Sequence, residues 1–169
     1  MVRPFDLKPI SREAIPAALE KARRYRLLNQ PVQAESICLD VLAADENHAE
    51  ALVTLFLALT DQFERHLQPA FDRARTLLPR LPDEYARWYY EGLLCERRGK
   101  AHLRSGNPMS GTMAYEWIQR AMSFFERAEA VRPAGDDDAV LRWNSCARLL
   151  MANEKIRPAP SDDDEPPLE

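Results

Sequence analysis

Residues 121–133, AMSFFERAEAVRP, carry the pattern that decides the fold. Ala121, Phe125 and Ala128 recur at intervals of four and three residues, which places them on one face of a helix. Pro133 follows, and a proline turns the chain away from a helix because it cannot continue the backbone hydrogen bonds. Small residues at this spacing let a second helix approach closely. The segment therefore predicts the second helix of an antiparallel helical pair.

The same frame occurs twice more in the chain. A small residue is followed seven residues later by a second position and five residues after that by a turn, as in the triples Ala34–Val41–Glu46, Ala70–Leu77–Pro82 and Ala121–Ala128–Pro133. Ten residues after each turn stand Phe56, Gly92 and Trp143. A helical pair repeated at a regular spacing predicts a stack of helical hairpins.

These positions resemble the tetratricopeptide repeat, whose pattern is W-x2-L-G-x2-Y followed by A-x3-F-x2-A and P. Residues 88–95, WYYEGLLC, are similar to the first part at Trp88 and Gly92, and residues 121–133 are similar to the second. The resemblance covers about residues 15–152. It implies an all-α fold, a right-handed α-solenoid of about three hairpins with a C-terminal capping helix. Gly92 and Ala121 are 29 residues apart where the pattern has 12, which predicts long helices with a protruding loop at 100–116.

Composition also favours an all-α chain, because only five of the 169 residues are glycine and strong helix formers dominate. We expect an irregular lead-in over 1–10, a repeat domain over 11–156, and a disordered, acidic, Pro-rich tail over 157–169. Within the domain, Asn47 and Glu50 predict a capping box. Pro69 is expected near the start of a helix. The acids of 136–138 are expected to cap the last helix.

The net charge of −4 is concentrated at the C-terminus. Asp162, Asp163, Asp164, Glu165 and Glu169 contribute −5 without a base, which leaves +1 for the rest of the chain. This balance argues against nucleic acid and membrane surfaces as partners. Because the start lacks an apolar signal segment and no run of 18 apolar residues occurs, a cytoplasmic location is expected.

No motif of catalysis or metal binding stands out. The histidines at 48, 66 and 102 lack ligand spacing, and the chain contains no nucleophile elbow or phosphate loop. Cys38, Cys95 and Cys146 are expected to be small apolar side chains in helices. The basic segment 96–104 is interpreted as a solvated face, and Trp88 and Trp143 as core residues. We therefore expect a protein that is not an enzyme and uses no cofactor or metal.

The family resemblance implies a concave groove lined by the first helix of each hairpin. The groove positions predicted to contact a partner are Arg23, Arg26, Thr54, Leu57, Tyr89, Leu93, Arg97, Asn144 and Arg148. Recurring arginines would suit an acidic peptide, with leucines and a tyrosine for apolar contact. A second interpretation stays open, in which these arginines are solvated or pair with neighbours on the same helices.

The function that follows is a non-catalytic adaptor or scaffold that binds a protein or peptide partner, an acidic one in particular. A secretion-type chaperone and a structural subunit of a larger assembly are the alternatives, and the sequence does not decide the oligomeric state. The acidic tail is a further candidate for the groove, because 14 extended residues reach roughly 45 Å.

Overall fold

The computed structural model describes residues 5–160, which contain seven α-helices, two short 3₁₀ helices and no strand. The all-α prediction is confirmed. The chain divides into two compact units, Met1–Asp83 and Glu84–Glu169, called unit 1 and unit 2 below. Residues 1–4 of the expected lead-in and residues 161–169 of the expected tail lie outside the described residues.

Unit 1 contains four α-helices that pack in chain order, each against the next. They are α1 (Ile15–Leu27), α2 (Pro31–Ala44), α3 (Ala49–Thr60) and α4 (Phe63–Leu77), with 3₁₀ turns at Arg12–Ala14 and Leu78–Arg80. The core includes Leu19 and Val41, and Phe56 on α3 has no exposed surface. Short breaks between helices thus give closely packed neighbours, as the sequence predicts.

The turn between α1 and α2 depends on Asn29, whose φ of 56° lies in the left-handed region. The Asn29 N–H donates to the Arg26 carbonyl, and the Gln30 N–H donates to the Tyr25 carbonyl at 2.9 Å. This is a Schellman motif, in which asparagine replaces the usual glycine. Pro31 then opens α2, where its missing N–H is not needed.

The start of α3 differs from the prediction of a capping box at Asn47 and Glu50. His48 is the N-cap residue, and its side-chain Nδ1 accepts a hydrogen bond from the Ala51 N–H at 3.3 Å. An imidazole nitrogen can therefore serve the role usually filled by a short oxygen-bearing side chain. The box prediction was wrong by one position.

Helix α4 is kinked at His66, whose φ of −141° and ψ of 52° are not helical. Pro69, three residues later, has no N–H to donate to the Arg65 carbonyl, and its ring excludes the straight helical path there. Pro69 consequently lies in the first turn of the straight segment that follows the kink, which agrees with the sequence prediction.

Unit 2 contains α5 (Glu84–Arg104), α6 (Ser110–Ala130) and α7 (Asp138–Ala152). Helices α5 and α6 are each 21 residues long and form an extensively packed hairpin. The long insertion noted in the sequence is therefore absorbed as extra helical turns, and the connecting loop is short. A Cβ added to Gly92 would lie 2.7 Å from the Phe125 ring, so only glycine permits this approach.

The small residues of the repeated frame are buried. Ala34 and Ala121 have no exposed surface, and Ala70 retains 3%. Each allows a neighbouring helix to approach, as the spacing predicts.

The three cysteines are free and buried. Burial raises the pKa of the Cys38 and Cys146 thiols from 9.0 to about 12, so both are protonated apolar groups at neutral pH.

Candidate functional site

The predicted groove arginines of unit 1 are engaged in ion pairs between helices. Arg26 on α1 binds Asp61, which directly follows α3, with Nε 2.7 Å from Oδ2, and the two side chains are 21% and 24% exposed. Arg23 pairs with Glu50 at the start of α3, where both side chains are about half exposed. These cations therefore tie α1 to α3, and their charge is already matched within the unit. The pairs join different helices, which extends the second interpretation of the groove arginines.

Two predicted groove residues are core residues. Thr54 retains 4% of its surface and Leu93 retains 2%. Thr54 lies among Ala51, Leu55 and Ala58 on a helix that is buried on most sides. The burial of Thr54 and Leu93 differs from the exposed positions that the family register implies, and their contact with a partner stays a prediction. Leu57 remains half-buried.

In unit 2, Tyr89 belongs to an aromatic cluster. Its ring stacks on Tyr85 with centroids 5.9 Å apart, meets Tyr90 edge-on at 5.1 Å, and lies 5.8 Å from Phe125. Asn144 and Arg97 are half-buried, and Arg148 on α7 is exposed. The nine predicted residues are therefore divided, with four in unit 1 and five in unit 2, and of the nine only Arg23 and Arg148 are exposed rather than half-buried or buried.

A buried carboxylate lies beside this cluster. Glu96 on α5 is 1% exposed, and its Oε1 accepts from Lys100 on the same helix and from Arg142 on α7 at 3.4 Å. Burial disfavours charge on Arg142, but the Tyr89 hydroxyl and Glu96 together raise the pKa of its guanidinium. A buried charge needs such partners. Glu96 therefore holds α7 against α5.

Another set of side chains in unit 2 combines cations with half-buried rings. We call it the arginine–aromatic face, defined by Trp88 and Arg98 on α5 and by Trp117, Arg120, Phe124 and Arg127 on α6. The four α6 members are spaced three, four and three residues apart, so they form one stripe along the helix. Trp88 stacks on Phe124 at 5.9 Å with 17° between the rings, which joins the α5 side to the stripe.

The arginines of this face lie over the rings. Arg98 and Arg120 both lie over Trp117, with guanidinium carbons 4.4 and 4.8 Å from the ring centre. Arg127 lies 5.0 Å from the Trp88 centroid and 5.5 Å from that of Phe124. A guanidinium over a ring is attracted by the π face, and in the exposed Arg120 and Arg127 its N–H edge remains available to an incoming acceptor.

Exposure and charge distinguish this face from the unit 1 arginines of the predicted groove. Arg120 and Arg127 are exposed, and neither forms an ion pair with a carboxylate anywhere in residues 5–160. Trp88, Trp117 and Phe124 are half-buried. The surface therefore presents positive charge next to apolar rings, a combination suited to an acidic ligand.

The sequence interpretation missed this face. It assigned Trp88 and Trp143 to the core, whereas both are half-buried, and the Trp143 indole N–H donates to Glu126 at 3.0 Å. It also treated residues 96–104 as a basic segment without aromatic residues. The ring that Arg98 contacts comes from α6, 19 positions later in the chain. The signal in the sequence was W-x2-R-x3-F-x2-R at 117–127, a helical stripe of alternating ring and cation.

Each unit has a cleft. One in unit 1, of about 420 Å³, lies where the turn 29–33 faces the kinked start of α4 and includes Asp61 and His66. One in unit 2, of about 690 Å³, lies between the α5–α6 loop and residues 153–157. Among residues 5–160, no cluster of three potential metal ligands occurs, and none of the helices is long and apolar enough to cross a bilayer.

Comparisons with protein-family models, curated proteins and solved structures gave no match for this chain.

Proposed function

We propose that this chain is a non-catalytic protein-binding module, an adaptor or scaffold, that takes an acidic segment of a partner polypeptide on its arginine–aromatic face. The observation that carries this proposal is the pair of exposed arginines, Arg120 and Arg127, which lie over aromatic rings without a carboxylate partner among the described residues. Unit 1 instead matches Arg23 and Arg26 with acids of its own. We further infer that the helical pairs are of the tetratricopeptide type, and the burial of the small frame residues supports this.

The chemistry of the face favours carboxylates. Each guanidinium presents parallel N–H donors that fit both oxygens of one carboxylate. The adjoining rings provide apolar area that an aliphatic side chain next to the acid can cover. A segment in which acids alternate with apolar residues therefore satisfies both parts of the surface.

Nucleic acid is the other polyanion that a ring–arginine surface could bind. The charge balance argues against it. Residues 84–160 carry twelve Lys and Arg against ten Asp and Glu, a net charge of +2, and residues 5–83 carry ten against twelve. A phosphate chain longer than the stripe would meet as many acids as bases outside it. Binding of a short acidic peptide needs only the local cations.

The test uses a synthetic Glu- and Leu-containing peptide, titrated into the full chain while tryptophan fluorescence is recorded. All three tryptophans lie in unit 2, and two of them belong to the face. We expect R120Q/R127Q to bind the peptide roughly tenfold more weakly, since two exposed ionic contacts of up to about 1 kcal/mol each are lost.

The control variant is R75Q/R148Q, which removes the same charge from two exposed arginines outside the face. Its affinity should stay within about twofold of the unmodified chain. If R75Q/R148Q loses the peptide and R120Q/R127Q does not, the peptide binds outside the arginine–aromatic face and the proposal is wrong. Tighter binding of single-stranded oligothymidylate than of the peptide would contradict a protein partner.

A further inference from the structure

We propose that the acidic segment 162–165 of this same chain is an occupant of the arginine–aromatic face, held there in competition with the partner. This inference rests on the proposed function, because it assigns a competing ligand to the same surface. Three observations support it, namely where the described chain ends, how far the remaining residues reach, and how the charges match.

The chain beyond α7 folds back onto the first turn of α6. Ile156 is 4% exposed, and its N–H donates to the Asn153 carbonyl at 3.1 Å. A Cβ added to Gly111 would lie 2.0 Å from the Lys155 carbonyl oxygen, so residue 111 provides the space for this segment. The C-terminal residues therefore start from the helix that carries most of the face.

The remaining length is sufficient. Trp117 follows Gly111 by six helical residues, or about 9 Å along the axis, and Arg127 follows it by sixteen, or about 24 Å. From Ile156, six extended residues to Asp162 span about 20 Å, and nine residues to Glu165 span about 30 Å. The acids can thus reach the guanidinium groups over Trp117 even when the path must pass around part of the α6 surface.

The charges are complementary. Asp162, Asp163, Asp164 and Glu165 are four consecutive acids without an intervening base, and residues 84–160 carry +2. Leu168, after two prolines, adds an apolar side chain close to these acids. The segment therefore has the composition that the face is proposed to select, since it contains acids for the arginines and an aliphatic side chain for the rings.

Attachment to the same chain makes even a weak contact significant. A segment tethered by a few residues has an effective concentration in the millimolar range. A partner peptide must then compete with it, so its observed affinity is the intrinsic affinity multiplied by the fraction of chains whose face is open. The tail therefore sets a minimum affinity that an acidic partner needs in order to displace it.

The experiment compares the full chain with a full-length variant, D162N/D163N/D164N/E165Q, and with a chain that ends at Pro160. The probe is the same Glu- and Leu-containing peptide. We expect both altered chains to bind it between about threefold and tenfold more tightly than the unmodified chain. The gain should disappear in the R120Q/R127Q background and persist in R75Q/R148Q. Equal affinities of the three chains for the probe would overturn the inference.

A second measurement separates this inference from the proposed function. The nonapeptide SDDDEPPLE is added, up to roughly the millimolar concentration that the tether supplies, to the chain that ends at Pro160. Binding is expected there and should be much weaker in R120Q/R127Q. If that chain binds the Glu- and Leu-containing peptide but not the nonapeptide, the tail is not an occupant and the protein-binding function stands. If it binds neither, both are wrong. The gain in peptide affinity on removing the tail acids should not depend on protein concentration. If it does, the tail occupies the face of a second copy, and the inference of an occupant from the same chain is wrong.

Discussion

Three arginines of unit 1 and two on the arginine–aromatic face of unit 2 have different neighbours, although both units are small helical assemblies. In unit 1, Arg23, Arg26 and Arg73 each reach a carboxylate on another segment of the unit. In unit 2, Arg120 and Arg127 lie over aromatic rings and keep their charge unmatched by acids among the described residues. The side chain is the same, and what differs is the group that the neighbouring helix offers. Arginine content alone therefore does not identify a binding surface in such a fold.

The units also differ in helix length and in how the helices approach. Unit 1 has helices of 12 to 15 residues, whereas α5 and α6 have 21 residues each. The longer pair needs close contact at more than one level, and Gly92 and Gly99 provide it by facing Phe125 and Ile118. Unit 1 uses buried alanines for the same purpose.

The largest expected effect concerns this close contact. In G92A the new Cβ would lie 2.7 Å from the Phe125 ring, which cannot move without disturbing the core. We expect the free energy of unfolding to fall by about 2 kcal/mol, measured by urea denaturation with tryptophan fluorescence as the probe of unit 2.

G99A is the matched control, because its Cβ would lie 3.1 Å from the Ile118 side chain and 3.2 Å from the Trp117 Cβ, both longer than the 2.7 Å contact at Gly92. The gain in helix propensity of about 0.5–1 kcal/mol should offset most of that contact. An equal loss of unfolding free energy in the two variants would show that the close contact between Gly92 and Phe125 does not determine the stability of the α5–α6 hairpin.

A second, smaller effect tests what the units share, since each buries a protonated thiol. Burial raises the pKa of Cys38 and Cys146 from 9.0 to about 12. Between these values the unfolded chain releases the two protons and the folded chain keeps them, so stability falls as pH rises above 9. We expect a loss of about 1 kcal/mol per thiol by pH 10, measured by urea unfolding at pH 8, 9 and 10.

In C38A/C146A the free energy of unfolding should fall less steeply above pH 9. The difference in slope should correspond to the release of nearly two protons on unfolding. An unchanged slope would mean that other groups dominate the alkaline transition.

The smallest effect compares two ion pairs of unit 1. The Arg26–Asp61 pair is about one-fifth exposed and the Arg23–Glu50 pair about half exposed. Double-mutant cycles with R26Q/D61N and R23Q/E50Q should give coupling energies of about 1 kcal/mol for the first pair and no more than about 0.5 kcal/mol for the second. A larger coupling at the exposed pair would contradict the importance assigned to burial.

Helices and core positions could be predicted from the sequence, because prolines and small residues at helical spacing have local physical meaning. The start of α2 at Pro31 and the burial of Ala34, Ala70 and Ala121 follow from it. The N-cap at His48 could not be predicted, since it depends on an unusual acceptor. Thr54 and Leu93 were placed on a surface by a register borrowed from a resemblance, and packing within the units decides otherwise.

The candidate site was harder to predict than the fold. Its rings and cations come from two helices, and the contact between Arg98 and Trp117 exists only after α5 and α6 pair. The stripe on α6 alone was visible as a spacing. To recognise this stripe as a binding surface, one has to know that its side chains are exposed or half-buried, and a single sequence does not predict the exposure of tryptophans.

The kink at His66 has a consequence for local opening. The turn before it is attached through the N–H groups of Arg65 and His66, which donate to the Gln62 carbonyl at 3.1 and 3.0 Å. Because Pro69 cannot donate to the Arg65 carbonyl, this turn is not continued by the backbone ladder of the straight segment. It can therefore fray while the helix from Ala70 onward stays intact, so its amides should exchange with solvent deuterium well before those of the segment that follows.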